Sequence, residues 1–126
     1  MRYHEHLPLD TASVPAAREF VRLHLGGWTG DHHIVELLAT ELATNAVLHA
    51  HSPFTLTLYI DEKCVRVEVT DASGIVPDTP EPPKPDATGG RCLLLVEALS
   101  TRWGGLALRH GKTMWFELDA LADLDA

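Results

Sequence analysis

Two runs of alternating apolar and polar residues, split by a short polar turn, constrain this chain more than any other feature. Phe54, Leu56, Leu58 and Ile60 alternate with Thr55, Thr57 and Tyr59; Val65, Val67 and Val69 alternate with Arg66, Glu68 and Thr70. Successive strand side chains point to opposite faces, so each run is a strand with one face to bury. Asp61-Glu62-Lys63 between them predicts a turn and an antiparallel pair.

The rest of the chain supplies the covering layer. Ile34, Val35, Leu38, Leu42, Ala46 and Val47 recur at helical spacing and predict a helix over 32–50, capped by Asp31 and ended by Ser52-Pro53. Ser13 is a candidate cap for an earlier helix, with Pro15 tolerated in its first turn and Gly26-Gly27 stopping it. Residues 91–101 read as a third helix, and 103–109 and 113–118 as strands about His110-Gly111. Residues 1–12 are a lead-in or edge strand, and 119–126 a short acidic tail. Helices and strands do not alternate strictly, which argues against a doubly wound parallel sheet. The order predicts an α+β fold: a two-layer α/β sandwich with a mixed, mostly antiparallel sheet and helices on one face.

With 126 residues, 45% hydrophobic and 22% charged, the chain has the size and composition of one soluble domain. Its longest apolar run, 93–96, is far too short to span a membrane. Residues 1–6 carry no apolar signal core, and the expected location is the cytoplasm, with Cys64 and Cys92 as reduced thiols in apolar surroundings. Net charge is −8 and the basic residues are scattered, so neither nucleic acid nor an anionic membrane is an expected partner. The eight histidines show no zinc-ligand spacing, and no dedicated transition-metal site is expected.

Four segments are candidates for chemistry. Glu41 and Asn45, four apart, share one helix face; a carboxamide oxygen suits Mg²⁺, and a neighbouring carboxylate suits proton abstraction. The plain alternative is a solvated helix face. Asp71, at the end of an apolar strand before Ser73-Gly74, can accept hydrogen bonds from a ligand amine or be an ordinary turn aspartate. Thr88-Gly89-Gly90-Arg91 enters a helix, where free backbone N–H groups favour phosphate; a loop before a helix is the alternative. Gly111-Lys112-Thr113 opens a strand and, as a hairpin turn, needs no function. The stretch 74–90, with five of the eight prolines, is long for a loop in a small domain.

In this order and spacing the segments resemble the histidine-kinase-like ATPase superfamily of gyrase, the large heat-shock chaperone, sensor kinases and mismatch-repair ATPases. Within it the chain is most similar to the small anti-sigma-factor serine kinases and their actinobacterial relatives. The resemblance covers about residues 14–118 and implies a Bergerat-type ATP-binding fold in a single domain, 1–126, with 74–88 as the ATP lid. It implies that Asn45 holds Mg²⁺, Glu41 is the general base, Asp71 accepts the adenine amino group and Thr113 supports the adenine pocket. Ser73 and Gly74 would follow that aspartate. Gly89, Gly90 and Arg91, with Cys92 and Leu93 in the same box, would frame the phosphates; His49 would be mainly structural. Three positions depart from the pattern: Cys92 where glycine is usual, Ser73 in place of the first glycine after the aspartate, and Leu48 at an often basic position. These bear on ATP affinity more than on the fold. A left-handed backbone at Cys92, for example, costs a side chain about 1–2 kcal/mol.

The resemblance further implies a protein serine/threonine kinase that phosphorylates an anti-sigma-factor antagonist and binds a sigma factor, with a homodimer as one expected assembly. The alternative is a regulatory docking module on the same fold, with weak or lost nucleotide binding. A sensor histidine kinase is disfavoured, because no helical pair precedes the domain to carry a phosphoacceptor histidine.

Overall fold

The computed structural model describes residues 1–72 and 89–121, those at 89–92 by backbone alone. The elements are β1 (Arg2–Leu7), α1 (Ser13–Leu25), α2 (His32–Asn45), β2 (Phe54–Ile60), β3 (Cys64–Asp71), α3 (Gly89–Leu99), β4 (Arg102–Leu108) and β5 (Gly111–Asp119). The lead-in is thus an edge strand. The strands form one sheet in the order β1-β2-β3-β5-β4, and every pairing is antiparallel. Hence β5 reaches past β4 to lie against β3 at the centre.

Alternation sorts the sheet into two faces. Val65, Val67 and Val69 of β3 pair with Leu118, Phe116 and Met114 of β5, and all are buried. With Phe54, Leu56 and Leu58 they form the sheet half of the core. The helical half is Ala17, Phe20 and Val21 of α1, Val35, Leu38 and Leu42 of α2, and Leu93 and Val96 of α3. The arrangement is the expected two-layer α+β sandwich.

The opposite sheet face is polar. Arg66 lies over the Trp115 ring at 4.0 Å and bonds Glu68 and Glu117; Arg102 bonds Glu117 at 2.6 Å and also pairs with Asp119. These bonds, that of Arg102 first, hold the Glu117 carboxyl below its ordinary pKa. Cys64 sits here, not in apolar surroundings: its thiol is half-buried, beside Arg102, and burial pushes its pKa up. The side chain of Cys92 lies outside the described residues.

Two helix boundaries differ from the sequence expectation. Ser13 does not cap α1: its hydroxyl donates to the Pro8 carbonyl, while Asp10 Oδ1 accepts from the Ala12 N–H. Asp31 does cap α2, accepting from Ile34 N at 3.1 Å. The helix predicted over 32–50 is α-helical only to Asn45. A π-helical turn, Ala46–Ala50, follows, closed by His51 at φ 48°. A wider turn of this kind re-aims the side chains around it. No helix among the described residues is long and apolar enough to cross a membrane.

Candidate functional site

The site builds from the C-terminal end of α2. Glu41 and Asn45 are half-buried on the shoulder of the stripe formed by Leu38, Leu42 and Ala43, so neither lies on a fully solvated face. Neither side chain has a hydrogen-bond or ion-pair partner among the described residues. Thr40 and Thr44 instead bond carbonyls of the preceding turn, those of Glu36 and Thr40. A carboxylate and a carboxamide thus stand one turn apart with their bonding capacity unspent.

Asp71 ends β3 on the helix-facing side, in phase with Val69 and Val67. One serine connects it to α2. Ser52 N donates to the carbonyl of Ala46, the residue after Asn45, at 3.4 Å; Ser52 Oγ accepts from the N–H of Ala72, the residue after Asp71, at 2.9 Å. Ser52 is buried, and its hydroxyl donates to the Pro53 carbonyl. The end of the helix carrying Asn45 and the end of the strand carrying Asp71 are therefore fixed to one another.

Across the sheet Asp71 faces Lys112 of β5. Lys112 Nζ donates to Asp71 Oδ2 at 2.8 Å, and the side chains are only 4% and 1% exposed. Charged side chains are almost never so buried unless paired. Gly111 makes the approach possible: a Cβ there would stand 2.0 Å from the Asp71 carbonyl oxygen.

Thr113 does not meet Asp71. Alternation turns it to the other face, where its hydroxyl bonds that of Thr70 at 2.8 Å. Lys112, the neighbour of Thr113 in that box, is the residue that lies beside the aspartate. Gly89, Gly90, Arg91 and Cys92 form the first turn of α3, which begins two residues earlier than predicted. Cys92 is thus helical, and the cost of a left-handed backbone does not apply to it. Leu93 is buried in the core. Leu48 and His49 lie exposed on the π-helical turn. Ser73, Gly74 and the loop 74–88 lie outside the described residues.

Sequence reasoning missed two residues of this arrangement. Lys112 had a signal: it is in phase with Met114, Phe116 and Leu118, which predicts a lysine on the buried face. Ser52 had none beyond its place before a proline.

A profile of the histidine kinase-like ATPase domain matches residues 7–113, most of the chain. The chain belongs to the histidine kinase-like ATPase domain family. That family fold implies ATP binding. No curated protein sequence matches this ATPase domain. Among solved structures it resembles the RsbU and RsbW domains of Rv1364c from Mycobacterium tuberculosis, with TM-score 0.72 and 17% identity over 97% of the chain. It spans 33% of that structure's length. It also resembles the histidine kinase domain of the Erythrobacter litoralis EL346 blue-light activated histidine kinase (TM-score 0.53, 20% identity, 88% of this chain and 64% of that one). A third resemblance is to the Acinetobacter baumannii histidine kinase AdeS (TM-score 0.52, 11% identity, 95% and 68%). At these identities the shared property is the fold.

Proposed function

We infer that this ATPase domain is an ATP-dependent serine/threonine protein kinase of the anti-sigma-factor type, acting on an antagonist protein, and that it also binds a sigma factor. The observation that carries the reading is the tie through Ser52, which sets the Glu41–Asn45 turn of α2 against the Asp71 end of β3. The turn carries a carboxylate and a hard neutral oxygen and the strand end a buried carboxylate acceptor, groups that suit proton abstraction, Mg²⁺ and a purine amine respectively.

In this reading Asp71 accepts from the adenine amino group, and the first turn of α3 (Gly89, Gly90, Arg91) directs backbone N–H groups at the phosphates. Asn45 supplies the hard oxygen that suits Mg²⁺. When bound, that ion would neutralise phosphate charge. Glu41 takes the proton of the attacking serine hydroxyl; that oxygen bonds the γ-phosphorus as the bond to the β-phosphate oxygen breaks, and ADP leaves.

The Asp71–Lys112 pair favours a second reading, a docking module in which Lys112 already satisfies the base-reading aspartate and nucleotide binds weakly or not at all. Calorimetric titration of the full chain with ATP, with and without Mg²⁺, separates the two. The kinase reading expects binding that strengthens with Mg²⁺, loses that dependence in Asn45→Ala and survives in Glu41→Gln while phosphoryl transfer is lost. No heat at millimolar ATP would remove it, as would a fully active Glu41→Gln protein.

A further inference from the structure

We propose that Lys112 is a base-reading residue: its ammonium, held by Asp71, donates to N1 of adenine while the Asp71 carboxylate accepts from the neighbouring 6-amino group. This rests on the reading of the site as an ATP site and adds a residue to it.

The argument starts from the donors of Lys112. An ammonium has three N–H donors. Among the described residues its one bond goes to Asp71 Oδ2 at 2.8 Å, and the side chain is 4% exposed. Two donors of a buried charge are therefore unfilled among the described residues. Leaving them so is costly, and a ligand acceptor is the natural remedy. The register supplies the geometry: Lys112 and Asp71 are directly opposed on adjacent strands, on the helix-facing side of the sheet. A ligand edge meeting the carboxylate of Asp71 meets the ammonium of Lys112 next to it.

The pair presents an acceptor beside a donor. Adenine carries the complement on adjacent positions, the 6-amino donor and the N1 acceptor. Guanine in the same pose would place O6 on the carboxylate and N1–H on the ammonium, two repulsive contacts. The pair thus selects adenine by both partners, where an aspartate alone reads only the amine. It also keeps the carboxylate charge balanced before nucleotide arrives.

The test needs no substitution at first. The full-length chain is titrated with ATP, 7-deaza-ATP, 1-deaza-ATP and GTP. ATP and 7-deaza-ATP, which keep N1, are expected to bind alike. 1-Deaza-ATP, with C–H in place of N1, is expected to bind at least about tenfold more weakly, as loss of a charge-assisted hydrogen bond requires, and GTP more weakly still. In Lys112→Met the difference between ATP and 1-deaza-ATP should disappear. Lys112→Gln, which keeps a donor and replaces that variant if it does not fold, should show a reduced preference. Equal binding of ATP and 1-deaza-ATP by the wild type overturns the proposal and leaves the ATP site intact. A preference that survives undiminished in the variant that folds also overturns it, by assigning N1 to another group, as does GTP binding tighter than ATP. Failure of all four nucleotides to bind removes both this proposal and the ATP reading beneath it.

Discussion

The buried pair between Lys112 and Asp71 makes a quantitative prediction about stability that needs no ligand. Both side chains are almost wholly removed from water, and their atoms meet at 2.8 Å. Replacing one partner takes the neighbouring opposite charge away from the other, at a cost of about 3–5 kcal/mol for a buried pair. Replacing both by uncharged groups of similar shape removes the desolvation penalty with the attraction and is nearly neutral. Lys112→Met and Asp71→Asn are therefore each expected to be destabilising. Lys112→Met is the more severe, since the carboxamide introduced by Asp71→Asn keeps an oxygen able to accept from the ammonium. The double variant should recover most of the loss. Urea unfolding of the four proteins, followed by far-ultraviolet circular dichroism, closes the cycle. The expected coupling is on the order of 3 kcal/mol, above the usual range for surface ion pairs. Additive losses, or single variants within about 1 kcal/mol of the parent, would refute the reasoning, because they would mean that both charges are solvated.

Three further substitutions probe the surroundings. Gly111→Ala forces a Cβ to within 2.0 Å of the Asp71 carbonyl oxygen, a backbone atom that cannot swing aside. A loss of about 1–3 kcal/mol in urea unfolding is expected, and an unchanged midpoint would show that the close approach is not required. Ser52→Ala takes the acceptor from the Ala72 N–H; about 0.5–1.5 kcal/mol of stability should be lost together with ATP affinity, whereas a stable variant with full affinity would break the proposed tie. Glu117→Gln tests the outer face. The Glu117 pKa is lowered in the folded state, chiefly by Arg102, so its contribution is present above the ordinary value of 4.5 and lost as pH falls through the folded value. The variant should be less stable by about 0.2–1 kcal/mol per pair at neutral pH. That deficit should vanish well below pH 4.5, and a pH-independent deficit would contradict the ion-pair account.

Much of the architecture was legible because burial imposes a period. The alternation in β2 and β3 identified a hairpin and its buried face, and the spacing of Leu38 and Leu42 did the same for α2. Order within the sheet was less accessible, since the placement of β5 between β3 and β4 is a long-range choice that no local pattern records. The start of α3 was misjudged by two residues for a different reason. Gly89 and Gly90 have low helix propensity, yet both are helical, and the Leu93 and Val96 side chains anchor that helix to the core. The π-helical turn after Asn45 has no periodic signature of its own.

At the candidate site, adjacency in sequence misled where phase would not have. Gly111, Lys112 and Thr113 read as one box, but a strand sends neighbours to opposite faces. Counting back from Leu118 through Phe116 and Met114 arrives at Lys112; counting forward from Val65 through Val67 and Val69 arrives at Asp71. Two strands whose apolar phases end in opposite charges predict a buried ion pair, because an apolar face admits one charge only when it admits its partner. The same count sends Thr113 to Thr70 on the outer face. Strand phase therefore decides which residue of a short box reaches a site, and here it puts Lys112 rather than Thr113 beside the aspartate.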